Sequence, residues 1–388
     1  MQLFKKIVIE VLYVSKLTGT NNKKILIALS VFFSQLAALT DLALIAIFSF
    51  LITGQATQVE VINYFLDFIL FNKFLILGFV ILRYSFQYLQ SMMLKKLEYR
   101  VDKNLKMYLL KEIYDKRNYS VADSYFYINV LSGHVSFFYT SIASFLNSLF
   151  QISVFATYLF LSNSNSIILF LAAGLFLIIP TRSLIKKARS YMHISYEKGK
   201  EANVEIQRAV ENMFLIKLLK KEEGELSKFS KTILSFNESM LQNHRYSLFT
   251  GYLPSFLTLL LLAAVFAFTK YQDILTLDFI GVTLKLFQSL GSLSDSINKI
   301  VNSHVHIEKF HELDKNKIVL EKENFVISEN NFITFKDVKF KYFNSEENIF
   351  ENINFKIKKN THTLIVGPNG SGKSTLIGLI SGIYFSQS

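Results

Sequence analysis

The chain has 388 residues and a formal net charge of +12, and 51% of its residues are hydrophobic, a fraction slightly above that of typical soluble domains. It contains no cysteine, which excludes disulfides, thiolate catalysis and Cys-based metal sites. Because the lysines and arginines cluster beside long apolar stretches, the charge favours a membrane rather than nucleic acid as the partner.

Six apolar stretches are long enough to cross a bilayer as helices, which takes about 20 residues. They cover residues 25–51, 74–94, 137–161, 166–184, 252–268 and 277–293. The segments 1–24, 94–132 and 182–246 are rich in Lys and Arg, whereas the other connections are nearly bare of them. The positive-inside rule therefore predicts both termini in the cytoplasm.

Two of the basic segments predict helices that continue well beyond the membrane. Both segments are free of proline in their charged parts, and each contains a reversal, near residues 119–130 and 212–224. The apolar residues 61–71, between the first and second spans, predict a short helix on the external membrane surface. The seven histidines are scattered without metal-ligand spacing, and we expect them at the protein surface.

Three charged side chains interrupt the predicted spans: Asp41 in the first, Arg83 in the second and Lys285 in the sixth. A charge inside a membrane is costly and usually faces a partner or a cavity. Asp41 and Arg83 lie at similar depth, so we predict that they face each other. Two roles stay open for them, a structural ion pair and direct substrate contact, and Lys285 is a further candidate cation for a substrate cavity.

The C-terminal part of the chain has the pattern of a soluble domain. Residues 313–330 are polar and charged and predict a linker. From residue 331 the pattern changes to the period of two that is typical of β-strands. The alternating residues are Ile333 and Phe335, then Phe340 and Tyr342, then Ile353, Phe355 and Ile357. The sequence therefore predicts a transmembrane domain over 1–312 and the start of a nucleotide-binding domain over 331–388.

Residues 367–374 match G-x-x-x-x-G-K-[ST], the phosphate-binding P-loop. The apolar run 363–366 before it is typical of a buried strand, and residues 375–380 after it predict a helix. Glycines let the backbone N–H groups approach phosphate oxygens, and the helix N-terminus favours the same anion. The candidate nucleotide-binding residues are Gly367, Pro368, Asn369, Gly370, Ser371, Gly372, Lys373, Ser374 and Thr375.

Two of these side chains have specific expected roles. Lys373 is expected to reach the β- and γ-phosphates as a point charge, and the Ser374 hydroxyl is expected to ligate Mg²⁺. The cofactors predicted from the motif are therefore ATP and Mg²⁺.

Six spans with cytoplasmic extensions, followed by a strand-rich P-loop domain, resemble an ABC exporter half-transporter. The most specific segments are residues 335–342, 350–357 and 367–375. The resemblance implies a membrane all-α domain of the type I ABC exporter fold, followed by the N-terminal part of an α/β P-loop nucleotide-binding domain. It also implies ATP hydrolysis, a bacterial inner-membrane location and a second half-transporter as partner, with a homodimer expected.

The resemblance assigns roles to three further places in the chain. Tyr342 occupies the position of the aromatic residue that stacks on adenine, although a strand aromatic facing the core is the alternative. Residues 211–223 resemble the second intracellular loop, whose short coupling helix docks into the partner's nucleotide-binding domain, and residues 119–130 resemble the first.

Several motifs of that family are not found in the sequence: the signature motif, the second acidic (Walker B) motif, the glutamine loop and the switch histidine. No catalytic residue is therefore assigned. We expect a chain that stops within its nucleotide-binding domain and that is inactive in ATP hydrolysis on its own.

Within the family, Asp41, Arg83 and residues 61–71 resemble features of bacterial flippases of lipid-linked oligosaccharides. The expected partners are then membrane lipid and an amphipathic or lipid-linked substrate. Export of a peptide, a drug or a plain lipid is an open alternative. So are a membrane protein that only senses nucleotide and an inactive fragment of a truncated gene.

Overall fold

The computed structural model describes most of the chain. The described residues are 9, 12–16, 23–54, 57, 59, 63–64, 74–116, 124–162, 178–268, 276–315, 333–342, 347–368, 370–384 and 386. The chain divides into two compact units, one formed by Met1–Asn104 with Gly133–Glu308 and the other by Leu105–Ser132 with Lys309–Ser388.

Long helices make up most of the described chain. They are α1 (Lys23–Thr53), α2 (Phe74–Lys116), α3 (Ser132–Ser162), α4 (Ile178–Glu211), the short α5 (Met213–Leu218), α6 (Glu222–Phe268) and α7 (Leu277–Lys315). A π-helical segment, Phe126–Leu131, leads directly into α3. In the described part of the chain, Lys23–Thr53 and Phe126–Ser162 are long and apolar enough to cross a membrane.

The predicted spans can be placed against these helices. Those at 25–51, 74–94, 137–161, 252–268 and 277–293 lie within α1, α2, α3, α6 and α7. The fourth, 166–184, is described only from residue 178, and the predicted surface helix 61–71 only at residues 63–64. The remaining parts of both segments lie outside the described residues, so the six-span organisation stays a prediction.

The helix ends follow from local sequence. α1 ends at Thr53, and the next residue, Gly54, has a φ of +68°, which suits glycine. The Gly54 N–H donates to the Phe50 carbonyl at 2.8 Å. α6 begins with acidic residues in its first turn, Glu222, Glu223 and Glu225, where negative charge is stabilised by the helix dipole.

The core of the first unit joins four of the long helices. Buried side chains from α1, α3, α6 and α7 form one hydrophobic cluster: Ala38, Leu42, Phe155, Tyr158, Leu159, Leu262, Phe279, Val282, Leu286 and Phe287. α6 and α7 approach closely, because a Cβ on Gly291 would lie 2.6 Å from the Gly251 carbonyl oxygen. Burial of this apolar surface holds the helices together where they surround the polar residues described below.

α4 and α6 also pack against each other. The Asn243 amide donates to the Ala188 carbonyl at 2.7 Å, and the Phe236 ring lies over Gly199, where a Cβ would be 3.1 Å from the ring. The Tyr191 and Tyr246 rings stack at 5.8 Å between centroids. The chain reverses between these two helices through α5.

The second unit contains a two-stranded antiparallel sheet, β1 (Ile333–Phe340) and β2 (Phe350–Ile357), and the helix α8 (Lys373–Ile380). Phe335 faces Phe355 across the strands, and their rings stack at 4.4 Å. The register is irregular near Asp337, which has a φ of +47°.

One strand prediction is wrong. Residues 363–366 form no strand in the structure, and Leu364 and Val366 are 84% and 81% exposed rather than buried. An apolar run becomes a buried strand only where neighbouring strands cover it, and the described sheet consists of β1 and β2 alone.

Candidate functional site

The loop that matches the phosphate-binding motif has the backbone that the motif requires. Gly370 and Gly372 have φ values of +87° and +83°, a region that glycine adopts without steric cost. α8 begins at Lys373, directly after Gly372. The first N–H groups of this helix have no intrahelical partner, and such a helix start attracts an anion. Asn369 lies outside the described residues.

The two left-handed glycines differ in their surroundings. A Cβ on Gly372 would lie 2.7 Å from two carbons of the Phe350 ring, whereas a Cβ on Gly370 would meet nothing within 4 Å. Phe350, the first residue of β2, therefore packs directly against the turn that begins α8. This contact connects the sheet to the loop.

The Lys373 side chain lies across the loop. Its ammonium group donates to the carbonyl oxygens of Gly367 at 2.9 Å and Pro368 at 2.7 Å. Ser374 is exposed, and its hydroxyl is an oxygen ligand of the kind that Mg²⁺ takes. No group of three or more His, Cys, Asp or Glu side chains that could hold a metal ion occurs in the described part of the chain.

Tyr342 lies close to α8. Its hydroxyl is 3.0 Å from the hydroxyl of Thr375, and its half-buried ring packs edge-to-face on Phe340 and Tyr384, at 5.2 and 5.4 Å between centroids. These contacts join β1 to α8. Adenine stacking by Tyr342 stays a prediction.

Tyr384 is a further member of this cluster, and it belongs to no sequence motif. Burial and a hydrogen bond with Tyr342 raise its pKa. A Cβ on Gly378 would lie 2.3 Å from the Tyr384 ring, so glycine at this position is what admits the ring. The small residue in the middle of an otherwise apolar helix was the available sequence signal.

The three charged residues of the predicted spans meet in the first unit. Arg83 Nε lies 2.9 Å from Asp41 Oδ1, and Lys285 Nζ lies 3.1 Å from Asp41 Oδ2. The predicted Asp41–Arg83 pair is thus confirmed. Lys285 joins the same carboxylate from a position 244 residues away in the chain, a contact that the sequence did not reveal.

These charges line a polar cavity of about 150 Å³. The other lining residues are mainly amides and hydroxyls: Gln87, Gln90, Gln151, Gln288, Ser289 and Ser292, with Ala37 and Phe155. Several of them are hydrogen-bonded to their neighbours. Arg83 donates to Gln87 at 2.8 Å, and the Gln151 amide donates to Ser34 at 2.9 Å.

The expected surface position of the histidines is wrong for two of the seven. His304 and His306 of α7 are 0% and 4% exposed. The His306 ring stacks on His134 at 3.6 Å between centroids and contacts Tyr196 edge-to-face at 5.2 Å. Helix packing buries these residues, and their sequence spacing carries no signal of it.

The buried His306 predicts a pH dependence of stability. It lies beyond the predicted span 277–293, and burial, followed by the proximity of His134 and His193, lowers its pKa well below the ordinary value. The folded state therefore favours neutral His306. The contribution of this residue to the free energy of unfolding is fully present above about pH 6.5, the pKa of an unperturbed histidine. Stability is lost as the pH falls below that value.

We expect the thermal unfolding midpoint in detergent to fall on acidification from about pH 7.5 to about 5.5, because a proton bound only in the unfolded state costs about 1.4 kcal/mol of stability per pH unit below the unfolded pKa. His306→Phe keeps a planar ring without a titratable group and should reduce this pH dependence. His244→Phe, at an exposed position of α6, is the matched control. An equal acid shift in the His306 and His244 variants would contradict the assignment.

The reversal between α4 and α6 presents apolar side chains to solvent. Phe214, Leu218 and Leu219 are 76%, 66% and 64% exposed. The turn after α5 passes through Lys220, with a φ of +50°, and the Lys221 N–H donates to the Ile216 carbonyl at 3.0 Å. An exposed apolar surface of this kind is typical of a protein contact.

Comparisons with known proteins match different parts of the chain. The sequence model of the ABC transporter family matches residues 350–388. The chain is 32% identical over 109 residues to the Beta-(1-->2)glucan export ATP-binding/permease protein NdvA of Bartonella quintana. The aligned region covers 27% of this chain and 18% of that protein. It is 29% identical over 150 residues to the nisin transport ATP-binding protein NisT of Lactococcus lactis, over 36% of this chain and 24% of that protein.

The fold is similar over a much larger part of the chain. A bacterial Atm1-family ABC exporter with ATP bound matches with a TM-score of 0.66 and 15% identity, over 95% of this chain and 66% of that one. At this identity the likeness concerns the fold alone. The matched part of the chain spans 18% of the length of NdvA and 66% of the matched exporter structure.

Proposed function

We propose that this chain, an ABC exporter half-transporter by its fold and its phosphate-binding sequence, uses ATP to export or flip a substrate across the bacterial inner membrane. The observation that carries the proposal is the loop at 367–374, with two left-handed glycines before α8, in a chain whose long helices have an exporter fold. Both termini lie in the cytoplasm in this proposal.

The residues of the loop hold the nucleotide. The N–H groups at the start of α8 and the Lys373 ammonium bind the phosphates, because both are donors directed at an anion. Lys373 exchanges its bonds to the Gly367 and Pro368 carbonyls for phosphate oxygens. Ser374 would ligate Mg²⁺, which would neutralise part of the phosphate charge. Tyr342 contacts adenine through the part of its ring that Phe340 and Tyr384 leave accessible.

The partner is a second half-transporter, with a homodimer as the simplest arrangement, and α5 is the contact surface. We expect Phe214→Asp to leave folding unchanged, because the side chain is 76% exposed, and to lower transport-coupled ATP hydrolysis at least about tenfold, because a carboxylate would be desolvated in the contact. The measurement is substrate-stimulated phosphate release by a dimer with complete nucleotide-binding domains.

Leu234→Asp provides the control for this prediction, since Leu234 is 63% exposed elsewhere on α6. It should retain stimulation. Equal effects of the two substitutions would show that α5 has no special role in coupling.

The substrate is a lipid-linked oligosaccharide or another lipid in this proposal. The polar cavity of amides, hydroxyls and charges supports a polar head group. A peptide or drug is the second candidate, favoured by the similarity to a nisin transport protein.

The test is ATP-dependent movement of labelled substrates in proteoliposomes that contain a dimer with complete nucleotide-binding domains, because residues 1–388 alone are expected to be inactive in ATP hydrolysis. A fluorescent lipid-linked sugar and a fluorescent peptide are compared, with ATP and with a non-hydrolysable analogue. We expect the lipid-linked sugar to move with ATP but not with the non-hydrolysable analogue. Movement of the peptide alone would favour the second candidate, and no ATP-dependent movement of either would contradict export.

A further inference from the structure

The polar cavity of the first unit carries a surplus positive charge. Its ionisable lining residues are Asp41, Arg83 and Lys285, so two cations share one carboxylate and the formal charge is positive by one. All three side chains are partly accessible, at 18%, 20% and 30% exposed. An anion with one negative charge would make the cavity neutral.

The remaining lining indicates what kind of anion fits. Four glutamine amides and two serine hydroxyls surround the charges, and each amide both donates and accepts hydrogen bonds, as the hydroxyls of a ligand do. The volume of about 150 Å³ is below the roughly 300–1,000 Å³ of pockets that enclose a whole small molecule. The cavity therefore has room for one head group rather than for an entire substrate.

Asp41 is placed to hold both cations when no ligand is bound. One carboxylate oxygen accepts from Arg83 and the other from Lys285. An anionic ligand that takes one cation leaves Asp41 bound to the other, so no charge is left unpaired at any stage. Because Asp41 competes with the ligand, it also weakens binding, which favours release after transport.

We propose that this cavity binds an anionic, hydroxyl-bearing head group of the substrate, and that Asp41 is the internal counter-ion that this group displaces from Arg83 or Lys285. The inference rests on the proposed export function and specifies the substrate class at the same site. A basic peptide does not fit, because the cavity already has an excess of positive charge.

The test is a series of charge variants of the full chain in nanodiscs of phosphatidylcholine, all carrying Lys373→Ala so that phosphate binding by residues 367–374 does not contribute. Binding of inorganic phosphate, glucose 1-phosphate, glucose and dihexanoyl phosphatidylglycerol is measured without ATP. We expect affinity for the three anions to follow cavity charge. Asp41→Asn should tighten binding about tenfold and Lys285→Gln should weaken it about tenfold, while the double variant, with the original net charge, should resemble the parent.

Matched controls lie on α7, where Lys299 and Asp295 form an exposed pair with Nζ and Oδ2 2.6 Å apart. Asp295→Asn and Lys299→Gln should leave all affinities unchanged. Preference for dihexanoyl phosphatidylglycerol over the soluble phosphates would identify a lipid head group, and the reverse a soluble phosphate. Anion affinity that does not follow the charge series, or glucose binding as tight as glucose 1-phosphate, would overturn the proposal.

If Asp41→Asn does not fold, Lys285→Gln decides the question, because unchanged anion affinity in that variant would overturn the proposal by itself. Export can be tested separately with ATP, so failure of this binding series leaves the proposed function standing. Failure of export leaves the binding series interpretable.

Discussion

Lys373→Ala is expected to lower the ATP affinity of the chain about tenfold or more. The ammonium group is the one positive side chain of the loop at 367–374, and a hydrogen bond to a charged group contributes about 1.5–3 kcal/mol, which corresponds to roughly ten- to hundredfold in affinity. In a transporter with complete nucleotide-binding domains, ATP hydrolysis should fall at least about 100-fold, the usual effect of removing one charge-stabilising group. Labelled ATP binding and phosphate release measure the two effects.

Stability should change little in this variant. In the structure Lys373 donates to the loop carbonyls of Gly367 and Pro368, and substitutions away from a packed core usually stay within about 0.5 kcal/mol. Lys358→Ala, at an exposed position near the end of β2, is the control and should bind ATP normally. ATP affinity equal in the two variants would contradict the nucleotide assignment.

Gly372→Ala is expected to disrupt the loop more strongly than Gly370→Ala, although both glycines are left-handed. The left-handed backbone costs a non-glycine residue about 1–2 kcal/mol at either position. At Gly372 the new Cβ would also lie 2.7 Å from the Phe350 ring, and overpacking of this kind costs about 1–3 kcal/mol more. The added cost should weaken ATP binding and increase hydrogen exchange in β2.

Gly370 supplies the matched control, because a Cβ there meets nothing within 4 Å. Gly370→Ala reports backbone strain alone, so the difference between the two variants measures the Phe350 contact. Equal losses of ATP affinity and equal exchange rates would show that this contact does not support the loop.

Some features of the site could be predicted because they depend on residues close together in the chain. The phosphate-binding loop is a run of consecutive residues, and its glycines have the backbone expected of them. The Asp41–Arg83 pair was predictable from depth, since each charge lies far from the ends of an apolar stretch. The fold class is likewise confirmed by its likeness to a solved exporter.

Other features depended on which helices pack together. Lys285 meets Asp41 only because α7 lies beside α1, and the burial of His306 follows from the packing of α3 and α4 against α7. The run 363–366 shows the opposite case. Its apolar pattern predicted burial, but Leu364 and Val366 are exposed, because burial depends on neighbours that a local pattern does not specify.

The sequence by itself therefore determined the long helices, the phosphate-binding loop and the positions of the charged residues within apolar stretches, because helix geometry, glycine conformation and the pattern of apolar residues act locally. Only the tertiary structure decided that one carboxylate serves two cations, that a polar cavity surrounds them, and that Phe350 packs against Gly372. These contacts join residues far apart in the chain, and their energies depend on distances that exist only after the helices and strands have packed.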